Sequence, residues 1–183
     1  MDPIVKQAML KWPHVPHCFG WLGLDARGNW YMRDERAQAA GRFASGAPGS
    51  KGSLLQHQKL IEFIGRNYAC DGSGRWYFQN GPQRVYVELE ATPWVWRVDP
   101  QFQVQDHIGT PAAFREAWMD ENGWLYLLTS SGFGLVHTQD VGHAADAIEQ
   151  GVWAVQDVLA TELPVRYGYT KSPCALQQVA ERT

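Results

Sequence analysis

A chain of 183 residues and 20.6 kDa has the length of one ordinary domain or two small ones. With 45% hydrophobic and 19% charged residues it carries enough apolar material for a packed core, which excludes wholesale disorder. A net charge of −3 and a pI near 6.0 exclude a generic nucleic-acid binder, and no apolar run approaches the ~20 residues of a membrane span.

The elements follow in chain order. Asp2-Pro3 pairs a cap oxygen with a proline suited to the first helical turn, which predicts a helix over 3–11. Lys6 and Lys11 interrupt its apolar residues, so no secretory signal is read there. Alternation predicts strands over 19–24 and 29–33. Residues 41–53, with Gly41, Gly46, Gly49 and Gly52 and no alternation, read as a mobile loop. Ser53-Leu54-Leu55-Gln56 has the form of a capping box, and Leu60, Ile61, Ile64 and Tyr68 continue a helical stripe from it. Strands follow over 75–79, 84–90 and 94–98, the first two joined at Asn80-Gly81. In 84–90, Val85, Val87 and Leu89 share one face, and Tyr86, Glu88 and Glu90 the other.

Thr110-Pro111 repeats the cap-then-proline pattern and predicts a helix over 111–116. Strands over 117–120, 124–129 and 133–138 come next, with Asn122-Gly123 as a turn. A helix over 141–150 stops at Gly151, strands cover 153–158 and 164–170, and Ser172-Pro173 opens a last helix over 173–181. The fold class expected is α+β, a mostly antiparallel sheet of short hairpin strands with about five helices. We expect one domain over 1–183, with residues 111–183 loosely echoing 1–98 as an internal duplication.

Three segments share a turn: Asp25 to Trp30, Asp71 to Trp76 and Asp120 to Trp124. In each an Asp opens the turn, a Gly three residues later takes positive φ, and aromatics begin the return strand. The first copy, Gly20-Trp21 through Gly28-Asn29-Trp30-Tyr31, resembles the hairpins of bacterial choline-binding and cell-wall-binding modules. Those modules stack at a short regular period, whereas the turn glycines here fall at 28, 74 and 123. The likeness is one of hairpin chemistry and brings no cage function. Over Gly20 to Arg36 and Gln79 to Arg97 the chain is similar to conserved bacterial cytosolic proteins of unassigned function, and that resemblance brings no catalytic residues.

Aromatics are the compositional outlier, with 9 Trp, 7 Tyr and 7 Phe. That exceeds what a core of this size requires, so some rings are expected on display. Trp94 and Trp96 fall on one side of a strand, near Tyr86 in sequence and next to Arg97. Such a platform stacks sugars, bases or cationic groups, and these four are the candidate ligand-binding residues. Two enzyme-like constellations form the alternative. Glu88 and Glu90 lie two apart on a strand face, near the spacing glycosidases use, with Arg84 or Arg97 to neutralise them if buried. His14, His17 and Cys18 are metal-ligand types at close spacing, needing a fourth ligand such as His137 or His143.

No Gly-Lys-Ser/Thr, Gly-x-Ser-x-Gly, Gly-x-Gly-x-x-Gly or His-Glu-x-x-His is present, so no catalytic residue, cofactor or metal is assigned. Cys18, Cys70 and Cys174, odd in number and widely spaced, suit the thiols of a reducing cytoplasm. Residues 1–100 carry 12 Lys and Arg against 9 Asp and Glu, and residues 101–183 carry 4 against 10. This asymmetry suggests self-association. The expectation is a non-enzymatic cytoplasmic protein that binds a small ligand or a protein partner through an exposed aromatic face. The alternative is a small-molecule hydrolase using Glu88 and Glu90, or a metal held by His14, His17 and Cys18.

Overall fold

Asp-headed turns and alternating strands build two mixed sheets in the computed structural model, which describes residues 1–180. The chain divides into two compact units. The first comprises Met1–Asp25, Asn29–Glu90 and the segment from Tyr169 onward; the second comprises Ala26–Gly28 and Ala91–Gly168. The architecture is α+β with mostly antiparallel pairing, as the sequence predicts.

In the first unit the strands are β1 (Cys18–Leu24), β2 (Trp30–Met32), β3 (Ser53–Leu54), β4 (Tyr68–Cys70), β5 (Trp76–Asn80) and β6 (Gln83–Leu89). They lie in the order β3-β2-β1-β6-β5-β4, with β1 and β6 parallel through Leu22 opposite Val87 and Leu24 opposite Leu89. Helices α1 (Pro3–Lys11), α2 (Glu35–Ala40), α3 (Gln58–Arg66) and α6 (Pro173–Ala180) complete the unit. Of these, α3 packs on β5, and α6 on β1 and β6. Residue 181 of the expected last helix lies outside the described residues.

In the second unit β7 (Trp94–Val98), β8 (Val104–Asp106), β9 (Pro111–Ala112), β10 (Phe114–Asp120), β11 (Leu125–Thr129), β12 (Gly132–Val136) and β13 (Val155–Val158) form one sheet. Its order is β13-β10-β11-β12-β7-β8-β9, with β12 parallel to β7. Helix α4 (Val141–Glu149) packs on β7 through the fully buried Ala144 and Ala147, and α5 (Leu163–Arg166) is a single turn. The core gathers Trp96, Val98, Leu125, Leu127, Val136 and Trp153.

The two sheets repeat one plan. A three-stranded meander starts at the centre and runs outward; a second runs inward and ends parallel beside the first strand. The plan covers β1–β6 and then β7–β12, with β13 added at one edge. In both copies an Asp-headed turn follows the first strand, at Asp25 and Asp99, and another follows the fourth, at Asp71 and Asp120. Asp106 heads a fifth such turn, between β8 and β9. In each, Oδ1 of the Asp accepts the N–H four residues on, so the carboxylate closes the turn from inside. The Asp99 and Asp106 turns escape the sequence reading because Phe102 stands where the others have Gly and because no aromatic follows Asp106. Phe102 is the one non-glycine residue with positive φ among the described residues, at 63°.

Three predicted elements change type. Over 111–116 strands form instead of a helix, because Thr110 closes the Asp106 turn with both its N–H and its carbonyl and is not available as a cap. Over 164–170 the alternation of Val165, Tyr167 and Tyr169 mimics a strand, yet Pro164 sits in the first turn of α5 and Val165 faces solvent. The capping box at Ser53 is overruled by pairing of Ser53–Leu54 with β2; α3 begins instead at His57, whose ring Nδ1 accepts the Leu60 N–H at 3.3 Å. Between β2 and β3, Asp34 accepts the Ala37 N–H and starts α2, a helix too short to show in the periodicity.

Candidate functional site

Strand periodicity places Trp94 and Trp96 on one side of β7, and in the structure their rings do stack, with centroids 5.9 Å apart. That side faces inward. Packed in a core with Ala144, Ala147 and Val136, Trp96 is 0% exposed and its Nε1 donates to the Leu127 carbonyl at 3.0 Å, while Trp94 is half-buried. Gly134 makes room for the pair: a Cβ there would collide with the Trp94 carbonyl oxygen and with Trp96 Nε1. Arg97 forms a two-pronged ion pair with Asp140, Nε to Oδ2 at 2.5 Å and Nη2 to Oδ1 at 3.2 Å, which ties the start of α4 to β7. Burial alone would push the Asp140 carboxyl up, but hydrogen bonds from Arg97 and the Val98 N–H hold it below its ordinary value.

Tyr86 belongs to the first unit. It is buried, stacked on Phe19 at 4.5 Å, and its hydroxyl donates to Asp71 Oδ2 at 3.0 Å. The four expected ligand-binding residues therefore split between the units, and two of them are core. The exposed indoles are those of Trp12, Trp21 and Trp124. Composition counts rings without locating them, and the packing over each strand face decides which are buried: Trp21 on β1 is exposed while Trp30 on β2 is not. His14 and His17 are exposed, and among the described residues no three His, Cys, Asp or Glu converge as a metal would require. Likewise, no helix among them is long and apolar enough to cross a membrane.

Glu88 and Glu90 do not act as a pair either. Lys51 holds Glu90 at 2.8 Å. Glu88 is 2% exposed, because α6 covers β6 on the side the sequence reading leaves to solvent. Ser172 Oγ donates to its Oε2 at 2.5 Å and the Cys174 N–H to its Oε1 at 3.0 Å. The strand carboxylate thus sits on the first turn of α6, where the unpaired amide hydrogens of a helix favour negative charge. Burial raises the Glu88 pKa above its ordinary value; Ser172, the Cys174 N–H, Arg33 and Arg42 oppose the shift without cancelling it.

Glu88 also lines a cavity of about 240 Å³, with Arg33, Gln38, Arg42, Cys174 and Gln178 around it. A second cavity of about 340 Å³ shares Arg42, Glu88 and Ser172 and continues toward Phe43, Leu89 and Lys171. Arg33 is 3% exposed and donates to the carbonyls of Ser50, Gly20, Ala37 and Gly41, at 2.8, 3.1, 3.4 and 2.6 Å. These bonds strap down both ends of the glycine-rich stretch read as mobile. Phe43, in a 3-10 turn over Phe43–Ser45, and Ser50 are buried with them. No ion pair within 4.0 Å joins Arg33 to Glu88 among the described residues, so two buried opposite charges line one hollow without direct contact. Of these lining residues, Glu88 alone stands out as a site candidate in the sequence. Arg33, Arg42, Ser172 and Cys174 come from loops and a distant helix start, and no spacing rule links them to residue 88.

The chain belongs to the family described as "Protein of unknown function (DUF2946)", whose model, DUF2944, matches residues 1–179. No curated protein matches it. Among solved structures it is similar to a DUF1285 family protein from Shewanella baltica OS155, at 15% identity and a TM-score of 0.46, over 69% of this chain and 91% of that one. It is also similar to a DUF1285 family protein from Silicibacter pomeroyi DSS-3, at 13% identity and a TM-score of 0.48, over 80% and 84%.

Proposed function

Taking that family membership as the premise, we propose that this protein is a non-enzymatic, cytoplasmic small-ligand-binding protein whose ligand enters the polar cleft of the first unit. One observation carries the reading: a buried carboxylate and a buried guanidinium line the same hollow and do not pair. Burying charges without direct pairing is costly, so such an arrangement is kept where a polar guest completes it. Binding fits better than catalysis because both Glu88 oxygens already accept from Ser172 and Cys174, which holds the carboxylate as a fixed acceptor. The widely separated cysteines, which form no disulfide among the described residues, suit a reducing compartment.

Native mass spectrometry of the protein incubated with mixed small metabolites tests this reading. The wild type is expected to carry small-molecule adducts, and a Glu88→Gln, Arg42→Gln double variant that melts normally is expected to carry none. Equal adducts on both would place binding elsewhere and end the proposal.

A further inference from the structure

The charges around the cleft narrow the ligand. Arg33 and Glu88 offset one another, which leaves Arg42 as the surplus charge of the lining. Arg33 spends four of its five N–H groups on backbone carbonyls and so works as a fixed strut. Arg42 is exposed at the rim of both cavities, and its guanidinium makes no hydrogen bond or ion pair with any described residue. Its planar fork matches the two oxygens of a carboxylate. Deeper in, each Glu88 oxygen accepts one hydrogen bond from the chain and keeps acceptor capacity, so the group meeting it must be a donor. The remaining polar lining, Gln38 and Gln178, is uncharged. The first hollow alone, at about 240 Å³, falls below the ~300–1,000 Å³ usual for drug-sized ligands and holds a compact one.

Building on the binding reading above, we propose that the cleft takes a compact organic monocarboxylate bearing a second hydrogen-bond donor, its carboxylate on Arg42 and its donor on Glu88. A phosphate fits worse, because its additional charge would be brought toward the Glu88 carboxylate.

Isothermal titration with lactate, lactamide, acetate and inorganic phosphate tests the assignment on wild-type protein, Arg42→Gln and Glu88→Gln. Wild type is expected to bind lactate about tenfold more tightly than lactamide, which lacks the charge, and than acetate, which lacks the donor. Arg42→Gln, a change at an exposed position that leaves the core alone, should erase the preference for lactate over lactamide. Glu88→Gln should erase the preference over acetate. Phosphate or lactamide binding as tightly as lactate overturns the ligand class. If lactamide binds as tightly as lactate and both variants abolish that binding, the class falls while the cleft stands as the binding site. Absence of binding by all four probes also overturns the class, and the adduct experiment then decides the binding reading by itself.

Discussion

Ser172 Oγ lies 2.5 Å from Glu88 Oε2, a hydrogen bond between residues 84 positions apart that fixes the start of α6 on strand β6. The same hydroxyl accepts the Ala175 N–H at 3.3 Å, so it caps the helix as well as holding the carboxylate. Ser172→Ala removes both roles and leaves one oxygen of a buried carboxylate short of a donor. We expect a loss of about 1–3 kcal/mol by urea denaturation, largely restored by Ser172→Thr. An unchanged midpoint would show that the bond adds nothing to stability.

Glu88 also sets a pH dependence. Its folded-state pKa is raised by burial, so the folded protein holds this proton more tightly than the unfolded chain. The group's contribution is fully present below the ordinary glutamate pKa and is lost as pH rises through the elevated one. Stability of the wild type should therefore fall over that window relative to Glu88→Gln, whose profile loses this component. Asp71 and Asp140 run oppositely. Burial pushes both up, but their hydrogen bonds hold both below the ordinary value, so they lose their contribution as pH drops through the carboxylate range. Melting curves from pH 2 to 8 read both slopes, and parallel profiles for wild type and Glu88→Gln would contradict the assignment.

Arg33→Gln strands several carbonyls that the guanidinium now satisfies. A destabilisation of about 3 kcal/mol or more is expected, together with faster proteolytic nicking within 41–53. If the variant melts normally and nicks no faster, the strap is not what holds that segment.

Trp96→Ala opens a large cavity in the second unit's core and should cost about 3–5 kcal/mol. Trp124, 46% exposed on the return side of the Asp120 turn, should tolerate Ala within about 0.5 kcal/mol. Equal losses at the two positions would contradict the burial pattern.

Asp120 accepts the Asn122 and Trp124 N–H groups on Oδ1 and the Tyr126 hydroxyl on Oδ2, all at 2.9 Å. Tyr126→Phe removes one of these bonds and should cost about 1 kcal/mol. Asp120→Ala removes all three and should cost about twice that or more. A double-mutant cycle measures their coupling, and strict additivity would deny the Tyr126 bond.

Local rules locate much of the fold, and their failures have local causes. Asp2-Pro3 and Ser172-Pro173 both open helices, with Ser172 capping through its hydroxyl and Asp2 giving no side-chain cap bond, whereas Thr110-Pro111 opens none because Asp106 has already engaged Thr110. The same two-residue signal serves two structures, and a neighbour four residues upstream decides between them. Of the candidate residues, Glu88 lines a cavity and Trp96 lies in the core, although both lie on well-predicted strands. Period-2 alternation identifies which residues share a face and is silent on what covers that face.

Residue order alone determined most of the short strands, three of the five Asp-headed turns and the starts of α1, α4 and α6, because hydrogen bonds between near neighbours and side-chain periodicity act within a few positions. Which strands became central followed from the parallel pairings of β1 with β6 and of β12 with β7, and which indoles were enclosed followed from what packs over each face, since Trp21 on β1 is exposed while Trp30 on β2 is buried. Those pairings, like the meeting of Glu88 with Ser172 and Cys174, join residues separated by dozens of positions. They form only when the whole unit gains more by burying its surface than it loses in chain entropy, a balance that no local window contains.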